Sequence, residues 1–183
     1  MRKIIFTLAA ILVSSPALAD GFRADIHGGW DRVNVLGAGK SGVEYGLGLG
    51  YDFDLADNFF IGLDANIDES STKACVDNLI VLGDRTCAKT GIDLSGGARM
   101  GFKTGELAKL YVLGAYTRAR VKASYELAGT TTSVGDWGDG WRVGAGYQLT
   151  FKNGVYGKIE YRYSDYQGGF KRHNVIAGVG YQF

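Results

Sequence analysis

Eight stretches of the chain alternate apolar and polar side chains at a period of two, the last of them ending on the final residue. In that last stretch, Arg172 to Phe183, the residues Val175, Ala177, Val179, Tyr181 and Phe183 share one face, and Asn174, Gly178, Gly180 and Gln182 share the other. Successive side chains of a strand point to opposite sides, so each stretch predicts a strand with one apolar and one polar face. The predicted strands run from Phe22 to about Arg32, Val43 to Phe53, Phe59 to Asp68, Gly91 to Phe102, roughly Tyr111 to Tyr125, Trp141 to Phe151, Val155 to about Tyr166, and Arg172 to Phe183.

The faces are unusual in content. On the second strand Val43, Tyr45, Leu47, Leu49, Tyr51 and Phe53 oppose Glu44, three glycines and Asp52; on the seventh Ile159, Tyr161 and Tyr163 oppose Lys158, Glu160, Arg162 and Ser164. Aromatics on one face and full charges on the other suit a wall with lipid outside and water or paired charge inside. The fifth stretch has no clean register. Tyr111, Leu113, Ala115, Ala119, Val121 and Tyr125 give it an outer face and Arg118, Arg120, Lys122 and Ser124 an inner one, but Leu110, Val112 and Tyr116 then also face inward.

Connections alternate in length. Asp54 to Asn58, Lys103 to Ala108 and Lys152 to Gly154 are short, whereas Leu36 to Gly42, Glu69 to Thr90, Glu126 to Asp139 and Gln167 to Lys171 form the other set, two of them long. Short periplasmic turns and longer external loops are the rule for outer-membrane barrels. The expected fold is therefore all-β, an eight-stranded antiparallel up-and-down transmembrane β-barrel with both ends in the periplasm. Its aromatics then sort into two belts. Phe22, Phe53, Phe59, Phe102, Tyr111, Phe151 and Phe183 fall at the periplasmic end, and Trp30, Tyr45, Tyr125, Trp141 and Tyr163 toward the outer end. Amphipathic rings favour both headgroup zones.

Composition adds a compartment. Arg2 and Lys3 precede an apolar run from Ile4 to Val13, then Pro16 and Ala17-x-Ala19, which reads as a signal peptide over residues 1–19 with the barrel over 20–183. The run is too short for a spanning helix. Cleavage would leave 164 of 183 residues, without proline, and would change 20 basic and 19 acidic side chains to 18 and 19. That balance excludes nucleic acid as the main partner. Cys75 and Cys87 lie in one polar connection of an exported chain, and a disulfide between them is expected, closing a loop for roughly 3 kcal/mol. No zinc ligand set surrounds them, and no cofactor is expected.

The inward charges divide by halves. The first four strands contribute mainly acids, Asp25, Glu44, Asp52, Asp64, Asp68 and Asp93; the last four contribute mainly bases, Arg118, Arg120, Lys122, Arg142, Lys158, Arg162 and Arg172, with Glu160 as the main exception. Across a closed barrel the halves face each other, so a charge network of Asp25, Glu44, Asp64, Asp93, Arg99, Arg118, Arg120, Arg142, Lys158, Glu160 and Arg162 is expected to fill the lumen. Eight strands leave room for little else. Catalysis has little support: His27 is expected in the lumen beside Asp25, His173 on the lipid face, and no serine-histidine-aspartate set is evident. Gly37-Ala38-Gly39-Lys40-Ser41 lacks the first glycine of a phosphate-binding loop, since position 34 is Asn34, and reads as a surface loop. The Cys75–Cys87 connection carries an apolar stretch, Asn78 to Gly83, expected to pack as a small hairpin or to form a contact patch. Gly129 to Ser133 reads as a polar loop.

The last hairpin, Glu160-Tyr161-Arg162-Tyr163-Ser164-Asp165-Tyr166 and then His173-Asn174-Val175 through Gly178, Tyr181 and Phe183, resembles the closing strands of small Gram-negative outer-membrane β-barrel proteins. That porin-like family includes the OmpA membrane domain and the opacity-type surface proteins. Val179, Tyr181 and Phe183 are similar to the signal read by the barrel assembly machinery. The resemblance covers the whole mature chain and lacks the peptidoglycan-binding domain of full-length OmpA. It implies an integral protein of the Gram-negative outer membrane, in contact with its lipid and lipopolysaccharide. The implied role is structural or at the surface, with adhesion or binding of an extracellular or host ligand through the loops and no enzyme activity. A narrow porin-like channel with a charged, gated lumen is the alternative, followed by a soluble lipocalin-like ligand-binding barrel.

Overall fold

The structure, a computed structural model, describes residues 21–35, 38–77, 85–127, 130–167 and 169–183. It contains β1 (Phe22–Val35), β2 (Ala38–Ala56), β3 (Phe59–Ser70), β4 (Lys73–Asp77), β5 (Arg85–Thr104), β6 (Ala108–Leu127), β7 (Thr130–Thr150), β8 (Val155–Tyr166) and β9 (Phe170–Gln182). All neighbours pair antiparallel, in the order β3-β2-β1-β9-β8-β7-β6-β5-β4, and β3 also pairs with β5. That pairing closes the sheet. β4 is the continuation of β3 beyond a break at Ser71 and Thr72, so the wall is a ring of eight strands. Among the described residues no helix is long and apolar enough to cross a membrane; the crossing elements are strands.

The first and last strands seal the ring in full register, from Arg23↔Gln182 to Val35↔Phe170, and the Phe183 amide donates to the Phe22 carbonyl at 2.9 Å. Short turns close one end. Gly105 and Gly154 hold φ of 73° and 82° there, left-handed values that glycine takes without steric cost. Inward glycines make room for the polar filling: a Cβ on Gly48 would sit 2.7 Å from the Asp25 carboxylate.

Polarity is inverted relative to a soluble fold. Leu47, Leu49 and Val179 are exposed, whereas Arg23, Arg99, Arg142, Arg162 and Arg172 are among the largest fully buried side chains. A lipocalin-like barrel has its apolar face inside, so the soluble alternative fails on this observation.

Two expectations are corrected. The hairpin strands are longer than predicted: β2 starts at Ala38, and β6 and β7 run to Leu127 and from Thr130. Much of the segment read as the Glu126–Asp139 loop is therefore β7, and Ala38 to Ser41 is β2. Asn78 to Gly83, Gly37 and Gly129 lie outside the described residues. More important, β6 faces the other way. Leu110, Val112 and Tyr116 are exposed while Tyr111, Thr117 and Ala119 are buried, so Arg118, Arg120 and Lys122 point outward. Tyr111 leaves the expected belt for the interior. The cause is the fixed alternation of a strand: once Leu110 and Val112 face lipid, every even position of β6 must.

Candidate functional site: a filled lumen and an exposed hairpin ribbon

The interior is built in layers by the inward positions of all eight strands. Near the short turns, Arg99 on β5 reaches Asp52 on β2 through Nε at 2.9 Å and Nη2 at 2.6 Å. Arg23 on β1 bridges Asp52 at 3.3 Å and Asp64 at 2.7 Å. The Lys109 ammonium joins Asp52 at 2.9 Å. The Arg99 guanidinium also lies 4.6 Å from the Tyr111 ring centroid, a stacking favoured where the cation is stripped of water.

The middle layer centres on His27, whose Nδ1 lies 2.8 Å from Asp25 and Nε2 2.7 Å from Asp68. Lys158 pairs with Asp25 at 2.7 Å, and the Tyr156 hydroxyl donates to Asp25 at 2.9 Å. Arg162 bonds Glu160 on its own strand and Asp68 across the barrel at 3.2 Å. The Tyr111 hydroxyl donates to Glu160 at 2.6 Å.

Toward the hairpin end Asp93 collects Arg142 at 2.7 Å, Arg172 at 2.8 Å, the Thr117 hydroxyl at 2.5 Å and the Tyr166 hydroxyl at 2.6 Å. Arg172 also bonds Asp31 at 3.0 Å and Glu44 at 2.6 Å. Buried charges persist only where partners and hydrogen bonds replace water, and here nearly every oxygen has a donor. Beside Asp64, Asn66, Arg142, Glu160 and Arg162 an interior void of about 10 Å³ remains, the size of a single water. His27, Glu44 and Asp68 bring donor atoms within 4.8 Å of one another. Arg172 already holds Glu44, and Arg142 and Arg162 hold Asp68, so the surroundings repel a metal cation.

The inverted faces, the eight-strand closed ring and the charged filling describe a membrane barrel. The family described as outer membrane protein beta-barrel domain matches residues 5–183. The chain belongs to that family. This outer-membrane barrel is 24% identical over 158 residues to the 25 kDa outer-membrane immunogenic protein of Brucella ovis, across 85% of this chain and 72% of the relative. It has the fold of Ail, the attachment invasion locus protein of Yersinia pestis. The TM-score is 0.60 at 18% identity, covering 90% of this chain and 99% of Ail; Ail has also been solved with the heparin analogue sucrose octasulfate. Neisserial surface protein A superposes with a TM-score of 0.60 at 15% identity, covering 90% and 98%.

The exposed apolar wall of this outer-membrane barrel is thus its lipid face. Phe53, Phe102, Phe151 and Phe183 lie on it at the short-turn end, and Trp30, Tyr45 and Trp141 toward the hairpin end. Val179, Tyr181 and Phe183 share that face, with the Tyr181 and Phe183 rings 4.9 Å apart. Of the residues expected to line the lumen, Asp25, Glu44, Asp64, Asp93, Arg99, Arg142, Lys158, Glu160 and Arg162 lie inside, each within ion-pair distance of an opposite charge. Arg118 and Arg120 do not. Arg118 pairs instead with Asp139 on the outer surface at 3.2 Å, and Arg120 is exposed, both displaced by the reversal of β6. The sequence reading missed Lys109, Thr117, Tyr156 and Tyr166. The parity of β8 places Tyr156 and Tyr166 with Lys158 and Glu160, and that signal was available.

β4 sets Cys75 directly opposite Cys87 of β5. Beyond the ring, β6 and β7 continue as a long hairpin, with β5 paired along β6 as far as Arg85↔Glu126 and β4 along β5. The β6–β7 pairing runs from Arg118↔Asp139 to Leu127↔Thr130, past the last β8 pair, Gly140↔Tyr166.

Proposed function

We propose that this outer-membrane barrel acts at the cell surface, its long hairpins outside and its short turns in the periplasm, binding an extracellular or host ligand through those hairpins. The observation that carries this reading is the β6–β7 ribbon. At about 3.4 Å per residue it projects roughly 30 Å along the strands beyond the ring, and Thr132 to Trp137 on it are exposed. The filled interior supports a structural role for the lumen, holding a rigid wall from which the ribbon extends. Residues 1–19 are read as a signal peptide removed on export, Cys75–Cys87 as a disulfide stapling the β4–β5 hairpin, and Val179, Tyr181 and Phe183 as the segment engaged by the assembly machinery. The complex of Ail, which shares the fold, with the heparin analogue sucrose octasulfate supports ligand binding by a barrel of this kind. The reading is non-enzymatic: His27 is held between two carboxylates and His173 by the Tyr161 hydroxyl at 2.8 Å.

Two measurements test this. Cells carrying the protein are expected to attach to extracellular matrix or host cells, and a variant with residues 124–133 replaced by a short Asn-Gly turn is expected to lose attachment while remaining in the outer membrane. Equal attachment by that variant refutes the role of the ribbon. Purified barrel in planar bilayers is expected to give no discrete conductance steps; regular steps would favour a channel instead.

A further inference from the structure

His27 sits where the packed charges of the lumen leave one proton to be placed. Its ring lies between two carboxylates, with Nδ1 2.8 Å from Asp25 and Nε2 2.7 Å from Asp68, and all three side chains are fully enclosed. An ionised carboxylate only accepts, whereas a neutral imidazole offers one N–H and one lone pair. A neutral ring would therefore press its lone pair against an oxyanion at one of the two contacts. Either the ring carries both protons, or one of the aspartates carries one.

The surrounding strands decide between these. From β8, Lys158 reaches Asp25 at 2.7 Å and Arg162 reaches Asp68 at 3.2 Å; from β7, Arg142 reaches Asp68 at 3.1 Å and Asp93 of β5 at 2.7 Å. Each aspartate beside the ring thus has a cation of its own and is at home as an anion. β2 adds a further carboxylate, Glu44, with a donor atom within 4.8 Å of those of His27 and Asp68. Glu160 of β8 is held by Arg162 and by the Tyr111 hydroxyl of β6. β9 passes the ring at Gly178, where a Cβ would lie 2.9 Å from that of His27. The proton belongs on the ring. The wider balance agrees: counting Asp64, the described residues place eight carboxylates inside the barrel against seven arginines and lysines. A charged His27 brings the interior to neutrality, and an unbalanced charge in such a place is costly.

We propose that His27 is a built-in imidazolium, the eighth cation of the lumen, and that it locks the wall with a proton that alkali withdraws. Most histidine switches change charge between about pH 5 and 8; this one is already charged there. An unfolded chain gives up its histidine proton above about pH 6.5, whereas the folded barrel keeps this one. Folding then takes up a proton, so its contribution to stability is complete below that pH and declines as pH rises, until the enclosed ring also releases it. Surface binding through the hairpins plays no part in this.

The test is urea unfolding of the full barrel in phosphatidylcholine vesicles between pH 6 and 9, with His173→Gln throughout so that one histidine remains. Above pH 7 the folding equilibrium constant is expected to fall by about tenfold per pH unit, the linkage of a single proton. His27→Gln should be less stable at pH 6.5 and lose that slope, whereas Glu44→Gln, which removes the other nearby group able to hold a proton, should keep it. Nitrogen-15 NMR of the wild-type ring at pH 8 should find both nitrogens protonated, a reading that stands even where His27→Gln does not fold. A histidine kept only for its shape would give a flat profile above pH 7. That flat profile, a single protonated ring nitrogen at pH 8, or a slope that survives His27→Gln and vanishes in Glu44→Gln would overturn the proposal.

Discussion

Replacing Arg172 with methionine measures how dry and how tightly paired the interior is. Its side chain is 0% exposed and its guanidinium is shared by three carboxylates: Asp31 at 3.0 Å, Glu44 at 2.6 Å and Asp93 at 2.8 Å. Methionine keeps most of the length and removes every donor. The carboxylates are not left bare. Asp93 keeps Arg142 at 2.7 Å, Asp31 keeps Asn174 at 3.0 Å and the Thr72 hydroxyl at 2.8 Å, and Glu44 keeps Asn174 at 2.6 Å. Removing one partner of a buried ion pair costs about 3–5 kcal/mol; with these partners remaining, the expected loss is near the lower figure, about 3 kcal/mol. Urea unfolding in lipid vesicles, followed by tryptophan fluorescence, should show it as a lower midpoint at unchanged slope. Adding Glu44→Gln to Arg172→Met removes one of the stranded charges, so the double variant should recover part of the loss, with a coupling energy above about 1 kcal/mol. A loss below about 1 kcal/mol with no coupling would show that water already solvates these groups, and the reasoning from a packed interior would fail.

Tyr111→Phe deletes a hydroxyl that donates to Glu160 at 2.6 Å, and unfolding titrations should register a loss of about 1.5–3 kcal/mol, the range for a hydrogen bond to a charged group. The reversed face of β6 is checked by single cysteines in a Cys75→Ser/Cys87→Ser background: a membrane-impermeant maleimide should label Arg118→Cys on intact cells and leave Thr117→Cys, buried against Asp93, unlabelled. Val112→Arg on the lipid-facing side should cost about 2–4 kcal/mol if it lies near the bilayer midplane; a cost below 1 kcal/mol would move that position into the headgroup zone. Quantifying free thiols in the denatured, unreduced protein should find none, and reduction should lower stability by roughly 3 kcal/mol.

The barrel was legible because its alternation is strict where lipid and lumen compete for each residue. Val43 to Phe53 and Arg172 to Phe183 gave their two faces with no ambiguity, although the strands run further, over Ala38–Ala56 and Phe170–Gln182. β6 was misassigned because its two halves appeal to different signals. Arg118, Arg120 and Lys122 suggested a lumen, whereas Leu110, Val112 and Tyr116 suggested lipid, and no strand can serve both with opposite parities. The apolar half decides, since an aliphatic side chain facing a packed charge network forfeits burial while an arginine above the membrane loses nothing. Strand length hid this. β6 and β7 span 20 and 21 residues against about 10 needed to cross a bilayer, so charge at their far ends carries no information about the lumen. The cross-strand partners were less accessible. Asp25 beside His27 follows from neighbouring inward positions, but the meeting of Arg172 with Asp93 depends on which strands face across the closed ring, and alternation along one strand does not contain it.

A wall of this kind places its chemistry outside. The inward positions are committed to one another: Asp93 takes four donors, Arg172 serves three carboxylates, and His27 is engaged at both nitrogens. Opening a path for a solute would mean separating several of these pairs at once in a medium where each separated charge is costly. The same commitment makes the wall stiff, and a stiff wall can hold upright a sheet extension that would be marginal by itself in water. The bistable element that a gate would require is absent among the described residues, while Thr132 to Trp137 on the extended hairpin are exposed. Substitutions on that outer surface, such as Lys89→Gln, leave the charge network of the lumen untouched.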